Sequence, residues 1–261
     1  ERAMDRSFYT GAVGAIAHQE RLNIIANNLA NANTNGYKRK VSSFSECIYS
    51  NLNAVAGEQT DYIAGSGLHV EKTDADFSQG AMATTGKEYD YMLKTEGFFA
   101  IEDPMTGEIS YTRDGNFSAS LAEDGNFYLV TANGKRVLDT NQNAIIIGTR
   151  ILQQQEDAVN PEYTMISGND LIGQIGIYTF PSTNGMQSNM GTEFIPVAKN
   201  GQPVITASSI ETLEHKALEM SNVNLADEIS KVIEAQRCYQ YALKMVQTSD
   251  EVEATINGLR S

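Results

Sequence analysis

The chain has 261 residues, 41% of them hydrophobic, enough for one large core or two modest ones. Its 33 acidic residues outweigh 19 basic ones, and the net charge of −14 argues against a nucleic-acid partner and against an anionic membrane surface, both of which call for basic stripes. No 18-residue apolar run and no N-terminal apolar h-region are present, so neither membrane insertion nor a cleaved signal peptide is expected. Two cysteines, Cys47 and Cys238, are too few for a disulfide framework and are read as unpaired thiols.

Residues 8–33 read as one polar helix. Phe8, Gly11, Ala15, His18, Leu22, Ile25 and Leu29 recur at alternating spacings of three and four, a seven-residue repeat. Because Gly11, Ala15 and His18 are small or polar, the stripe permits close approach of another helix but buries little, so the helix is expected to order only with a partner. Six Asn fall between Asn23 and Asn35, although Asn is a mediocre helix former. Asn35-Gly36 suits a helix end, where φ becomes positive. Asn27, Asn28 and Asn31 sit inside the apolar period and are expected to bond across a helix–helix contact.

Residues 37–80 read as an extended, turn-rich arm with Gly57, Gly65, Gly67 and Gly80. Residues 84–205 carry strand and turn signals. Tyr89, Tyr91 and Leu93 alternate with Asp90 and Met92, and Gly97-Phe98-Phe99-Ala100-Ile101 is a short apolar run. Asp114-Gly115-Asn116-Phe117 recurs as Asp124-Gly125-Asn126-Phe127, and both Asp-Gly pairs predict hairpin turns, as does Asn133-Gly134. The repeated Asp-Gly-Asn lacks the ligand spacing of a calcium loop. Later strands are expected over Ile145–Gly148, Ile175–Phe180 and Phe194–Val197.

A second helix is expected over 224–259. Asn224 is a good N-cap, and Asp227 and Glu228 fall in the first turn, where the helix end favours carboxylates. Leu225, Ile229, Val232, Gln236, Tyr239, Leu243 and Val246 again repeat every seven residues. The fold class is therefore α+β, with N- and C-terminal helices pairing as a coiled coil and a central, mainly antiparallel β domain. The expected layout is an N-terminal helix over 4–36, an arm over 37–80, a β domain over 81–205, and a return segment with the C-terminal helix over 206–261. An intramolecular two-helix hairpin and a multi-chain helical bundle both fit the stripes.

Three blocks resemble a known family. Ile25-Ala26-Asn27-Asn28-Leu29-Ala30-Asn31-Ala32-Asn33-Thr34-Asn35-Gly36-Tyr37-Lys38 looks like the N-terminal signature of bacterial flagellar rod and hook proteins. Gly97-Phe98-Phe99, followed by Tyr111-Thr112-Arg113-Asp114-Gly115-Asn116-Phe117, is similar to that family's β domain. Glu219-Met220-Ser221-Asn222-Val223-Asn224-Leu225-Ala226-Asp227-Glu228, then Ile233-Glu234-Ala235-Gln236-Arg237-Cys238-Tyr239, looks like its C-terminal signature. Within the family the likeness is to the distal rod type first and the proximal rod type second; the chain is shorter than the hook subunit. The stretch 149–172, with Gln153-Gln154-Gln155-Glu156, matches no family pattern.

The resemblance implies a structural subunit whose terminal helices pair and line the inner tube of an axial filament in the flagellar basal body, with the β domain outside. It implies self-association into a helical filament, contact with neighbouring rod and hook proteins, and export through the flagellar type III apparatus without a cleaved signal peptide. The expected assembly interface takes Leu22, Ile25, Asn27, Asn28, Leu29 and Asn31 from the first helix, and Ser221, Asn222, Val223 and Asn224 from the entry to the second. Ile229, Val232, Gln236, Tyr239, Leu243 and Val246 complete it.

Two readings from other classes stand beside this one. An enzyme would need a site, yet His18, His69 and His215 have no ligand or triad spacing and no nucleotide-binding glycine fingerprint occurs. Only a carboxylate pair acting on glycan stays open. No catalytic residue, cofactor or metal is therefore assigned. The other reading is a secreted β-rich binding module with helical anchors.

Overall fold

The computed structural model describes residues 2–46, 50–51, 63–64, 67–150, 163–189 and 191–260. Cys47, Gly57, Gly65 and the Gln153-Gln154-Gln155-Glu156 stretch lie outside the described residues. The chain divides into two units. The first gathers residues 1–30, 40–74 and 224–261; the second gathers residues 31–39 and 75–223.

The first unit is built on two long helices, α1 (Arg2–Ala30) and α2 (Leu225–Arg260). Strand Lys40–Glu46 pairs with strand Leu68–Ala75 beside them. The expected caps are in place on α2: the Asn224 side chain accepts the Ala226 N–H at 3.0 Å, and Asp227 and Glu228 occupy the first turn. α1 stops three residues short of its expected end. Asn31 begins a turn instead, its carbonyl accepting the Thr34 N–H at 3.1 Å, and Thr34 in turn accepts the Tyr37 N–H. Asn competes for backbone groups, so a run of Asn ends a helix early.

The second unit is the β domain, and among the described residues its strand pairs are antiparallel. Its main sheet has eleven strands among the described residues. Strand Phe98–Glu102 lies at the centre, bonded to Ile109–Thr112, Gly176–Thr179 and Arg136–Val137. Side chains alternate across this strand. Phe99 and Ile101 enter one apolar cluster with Leu129, Ile147 and Ile177, while Phe98 and Ala100 enter the other with Tyr111, Tyr178 and Phe194. Both faces of the strand are thus covered, which explains why residues 97–101 read as an unbroken apolar run. Each fully buried Phe or Ile is worth ~2–3 kcal/mol of transfer free energy, so this sheet carries most of the domain's stability.

One expected hairpin is absent. Asp124-Gly125 does join paired strands, Phe117–Leu121 and Asn126–Thr131, and Asn133-Gly134 turns the next pair. Asp114-Gly115 does not: Ile109–Thr112 pairs with strands 98–102 and 193–195, and Phe117 opens a strand that pairs elsewhere. Gly115 is needed for another reason. A Cβ there would lie 1.8 Å from the Tyr91 carbonyl oxygen. The repeated Asp-Gly-Asn is a local bonding pattern, because each Asp accepts the N–H of its Asn, Asn116 or Asn126, at 3.0 Å.

Beside that corner two carboxylates lie close together. Asp90 is fully buried; one of its oxygens accepts the Thr85 hydroxyl at 2.5 Å. Burial pushes Asp114 up to about 6; the Asn116 N–H works against the shift and the Asp90 charge adds to it. A carboxyl with a folded-state value above its unfolded one binds its proton more tightly when folded, so its ionisation costs stability. The cost is absent below pH ~4, grows through the interval up to about 6, and is complete above it. Asp114→Asn keeps the acceptor for Asn116 and removes the charge. We expect its gain over the parent chain to rise from near zero at pH 4 to on the order of 1 kcal/mol at pH 7, measured by urea unfolding with tyrosine fluorescence. A variant less stable at both pH values would refute this.

Candidate assembly interface

α1 and α2 pack antiparallel within their unit. Ser7 Oγ lies 3.0 Å from Ser249 Oγ, Arg21 reaches both Glu234 oxygens at 3.3 and 3.4 Å, and Asn28 Nδ2 donates to Glu228 Oε2 at 3.1 Å. Gly11 and Gly14 stand over Ala242, and a Cβ on Gly11 would come within 3.1 Å of Val246. On α2 the residues facing α1 include Glu228, Ala235, Ala242 and Ser249, one every seven residues. The α2 side of the seam therefore has heptad spacing and is lined mostly by small and polar side chains, with Val246 over Gly11 as a larger apolar contact.

This places the expected α2 stripe at an angle to the seam. Val232, Tyr239 and Val246 are half-buried, whereas Gln236 is exposed and Leu225, Ile229 and Leu243 are 47%, 49% and 38% exposed. On α1, Ile25 is buried and Leu22 and Leu29 are half-buried. The large apolar side chains of α2 thus lie mostly off the intramolecular contact. Burying an alanine gains far less than burying a leucine, so this pair is held by little apolar area.

Asn28 fixes where the pair meets the neighbouring strand. Its Nδ2 donates to the Lys40 carbonyl at 2.8 Å and its Oδ1 accepts the Lys40 N–H at 2.8 Å, the two-bond pattern of a strand partner supplied by a side chain. The second N–H of the same amide goes to Glu228 Oε2, whose other oxygen accepts Lys231 Nζ at 2.6 Å. Only an amide of this length offers two donors and an acceptor at once. Asn28 is 1% exposed, so the helix-propensity cost of an interior Asn is offset by a satisfied buried junction. Asn27 is exposed; Asn31 Oδ1 accepts the Thr34 hydroxyl at 3.3 Å within its turn.

A second junction lies in the β unit, where three sequence blocks converge. The Glu219 carbonyl accepts the Gly36 N–H at 2.8 Å. Its carboxylate takes Lys38 Nζ at 2.5 Å, the Gly80 N–H at 2.8 Å and Arg113 Nη1 at 3.3 Å. Lys38 Nζ also donates to the Ser78 carbonyl at 2.7 Å. The three ionic side chains are 0%, 0% and 3% exposed. Burial lowers the Lys38 and Arg113 values, and the Glu219 carboxylate opposes it in both. Gly36 has φ +66°, and a Cβ there would sit 2.4 Å from the Asp114 nitrogen, so no other residue fits. Asn222 completes the junction by accepting the Arg39 N–H at 2.8 Å and donating to the Asp76 carbonyl at 2.7 Å. Ser221 Oγ accepts the Val223 N–H at 3.3 Å, and Ser221 and Val223 are half-buried.

Sequence reasoning singled out Asn222 but not Lys38, Arg113 or Glu219. All three stand inside the quoted motifs, yet nothing in linear spacing says that a Lys, an Arg and a Glu roughly 75 to 180 positions apart share one site. The histidines belong to local structure: His215 Nε2 is 2.5 Å from the Glu88 carbonyl and its ring stacks on Tyr91, while His18 lies 6.5 Å from the Phe44 ring. Glu219→Gln should leave two buried cations short of a counter-charge and destabilise the β unit by ~3–5 kcal/mol, read as a lower urea midpoint. An unchanged midpoint would mean the triad contributes nothing.

Comparison with known proteins bears on the same segments. Residues 8–38 match the family described as flagella basal body rod protein, residues 92–167 the flagellar hook protein FlgE/F/G D1 domain, and residues 214–259 the flagellar basal body rod FlgEFG protein C-terminal family. The chain is 32% identical to the flagellar basal-body rod protein FlgG of Borreliella burgdorferi, covering 98% of this chain and 99% of that protein. It is 31% identical to FlgG of Bacillus subtilis, covering 98% and 100%, and 30% identical to the flagellar basal-body rod protein FlgF of Mesorhizobium japonicum, covering 99% of each. With family matches at both helices and at the central sheet, and full-length relatives of the same description, the chain belongs to the flagellar basal-body rod protein family.

Proposed function

We propose that this chain polymerises through α1 and α2 into a hollow axial filament of the flagellar basal body and transmits torque as a distal rod subunit. The observation that carries this reading is the division of labour on α2. Its contact with α1 uses Ala235, Ala242 and Ser249, while Leu225, Ile229, Ile233 and Leu243 face outward at 38–49% exposure. Exposed apolar side chains along one helix face are covered when helices of other subunits pack on them. Residues 4–36 and 206–261 form the inner layer in this proposal, 37–80 the connecting arm and 81–205 the outer β domain. Rod and hook neighbours above and below, and export through the type III apparatus, follow from the same family role.

A proximal rod subunit is the second reading, favoured by the FlgF relative of comparable identity. Within the filament, Asn28 is a positioning residue and the outward apolar side chains are the contact. Because the helix pair buries little by itself, ordering and assembly are coupled. In the free chain, amide exchange should be fast over 8–33 and 240–259 and slow over 89–148, and it should slow at both ends on assembly. Ile229→Asp with Leu243→Asp should abolish incorporation into filaments while leaving the urea midpoint of the β unit unchanged. Retained incorporation after deletion of both helices would refute the proposal.

A further inference from the structure

An open groove of about 230 Å³ lies in the helical unit, between α1, the strand Lys40–Glu46 and the first turns of α2. Its walls carry Ile24, Val41 and Phe44, and its rim carries Arg21, Lys40 and Lys231. Arg21 is paired with Glu234 and Lys231 with Glu228, which itself lines the groove. The Arg21 guanidinium lies 5.8 Å from the Phe44 ring centre. Lys40 has its backbone clamped on both sides by Asn28, and its ammonium makes no ion pair among the described residues.

The complementary surface lies at the other end of the same helix pair. Asp250, Glu251 and Glu253 are exposed and form no ion pair among the described residues, and Val252 and Ile256 beside them are 42% and 41% exposed. Glu228, at the groove, and Asp250 are separated by 22 positions of continuous helix, a distance of ~33 Å. A rigid helix cannot bring its own acidic stretch to its own groove.

We propose that the groove receives the acidic, apolar stretch Asp250–Ile256 of a second copy of this chain. Val252 and Ile256 fill the trough against Ile24, Val41 and Phe44, and the carboxylates meet Lys40 at the rim. This rests on the filament reading and deepens it, because the contact joins two different surfaces. Such a heterologous contact repeats without closing and generates a polar, open-ended array.

The test uses the full-length chain with Cys47→Ser and Cys238→Ser. Lys40→Cys and Glu251→Cys are placed in one chain and oxidised after concentration. A ladder of cross-linked dimers, trimers and higher species is expected, and none from Gln19→Cys with Glu251→Cys. Without cysteines, Lys40→Glu should lower the sedimented polymer about five-fold, Glu251→Lys in the same chain should restore it, and salt near ~0.5 M should weaken assembly of the parent. Polymer that sediments normally with no 40–251 cross-link and no effect of Lys40→Glu overturns this contact and leaves polymerisation standing. A closed dimer in place of a ladder also overturns it. Absence of polymer from the unsubstituted chain under all conditions overturns the filament reading and this contact together.

Discussion

Close approach of α1 and α2 is the constraint from which the helical unit follows. Gly11, Gly14, Ala235 and Ala242 let the two backbones come together, and that same smallness limits how much water-accessible area the pair removes. The bulky residues have to go elsewhere. On α2 they go outward, so the feature that lets one chain form its helix pair also leaves that pair hungry for further contacts. Polar groups, not apolar area, then set the register: the Asn28 amide, the Arg21–Glu234 pair and the Ser7–Ser249 contact each fix one level of the seam.

The β unit solves the opposite problem. Its central strand is covered on both faces and its core is rich in aromatic rings, with Phe77 in edge contact with both Phe98 and Phe194. Here apolar burial is ample and register comes with the sheet. The buried Lys38–Glu219–Arg113 group therefore adds placement more than stability. It ties the segment that follows the Asn-rich turn to the segment that returns toward α2, both within the same unit, and it does so with charge-assisted bonds that tolerate little misalignment.

Much of this was legible in the residues. Seven-residue spacing located both helices, the Asn224 cap located the start of the second, and the apolar run at 97–101 located the central strand. The Asn28 amide was singled out because an interior Asn has a cost that something must offset. What periodicity could not decide was which of two adjacent heptad faces α2 turns inward, since Ala235 and Ala242 are neutral on either face. It also misread Asp114-Gly115, where glycine answers to the Tyr91 carbonyl across the domain and not to a turn. Both misses have one cause. The deciding contact is distant in sequence, and local propensity carries no trace of it.

The Gly36 junction bears on how the molecule ages. Asn35-Gly36 is the pairing most susceptible to cyclising into a succinimide, a reaction in which the glycine nitrogen attacks the preceding amide carbon. In the folded domain that nitrogen's hydrogen is committed to the Glu219 carbonyl, the residue is buried, and its φ of +66° is held against the Asp114 backbone. Native packing thus shields a chemically fragile bond that an unfolded chain would leave open, and deamidation at this position becomes a clock that runs only while the domain is unfolded.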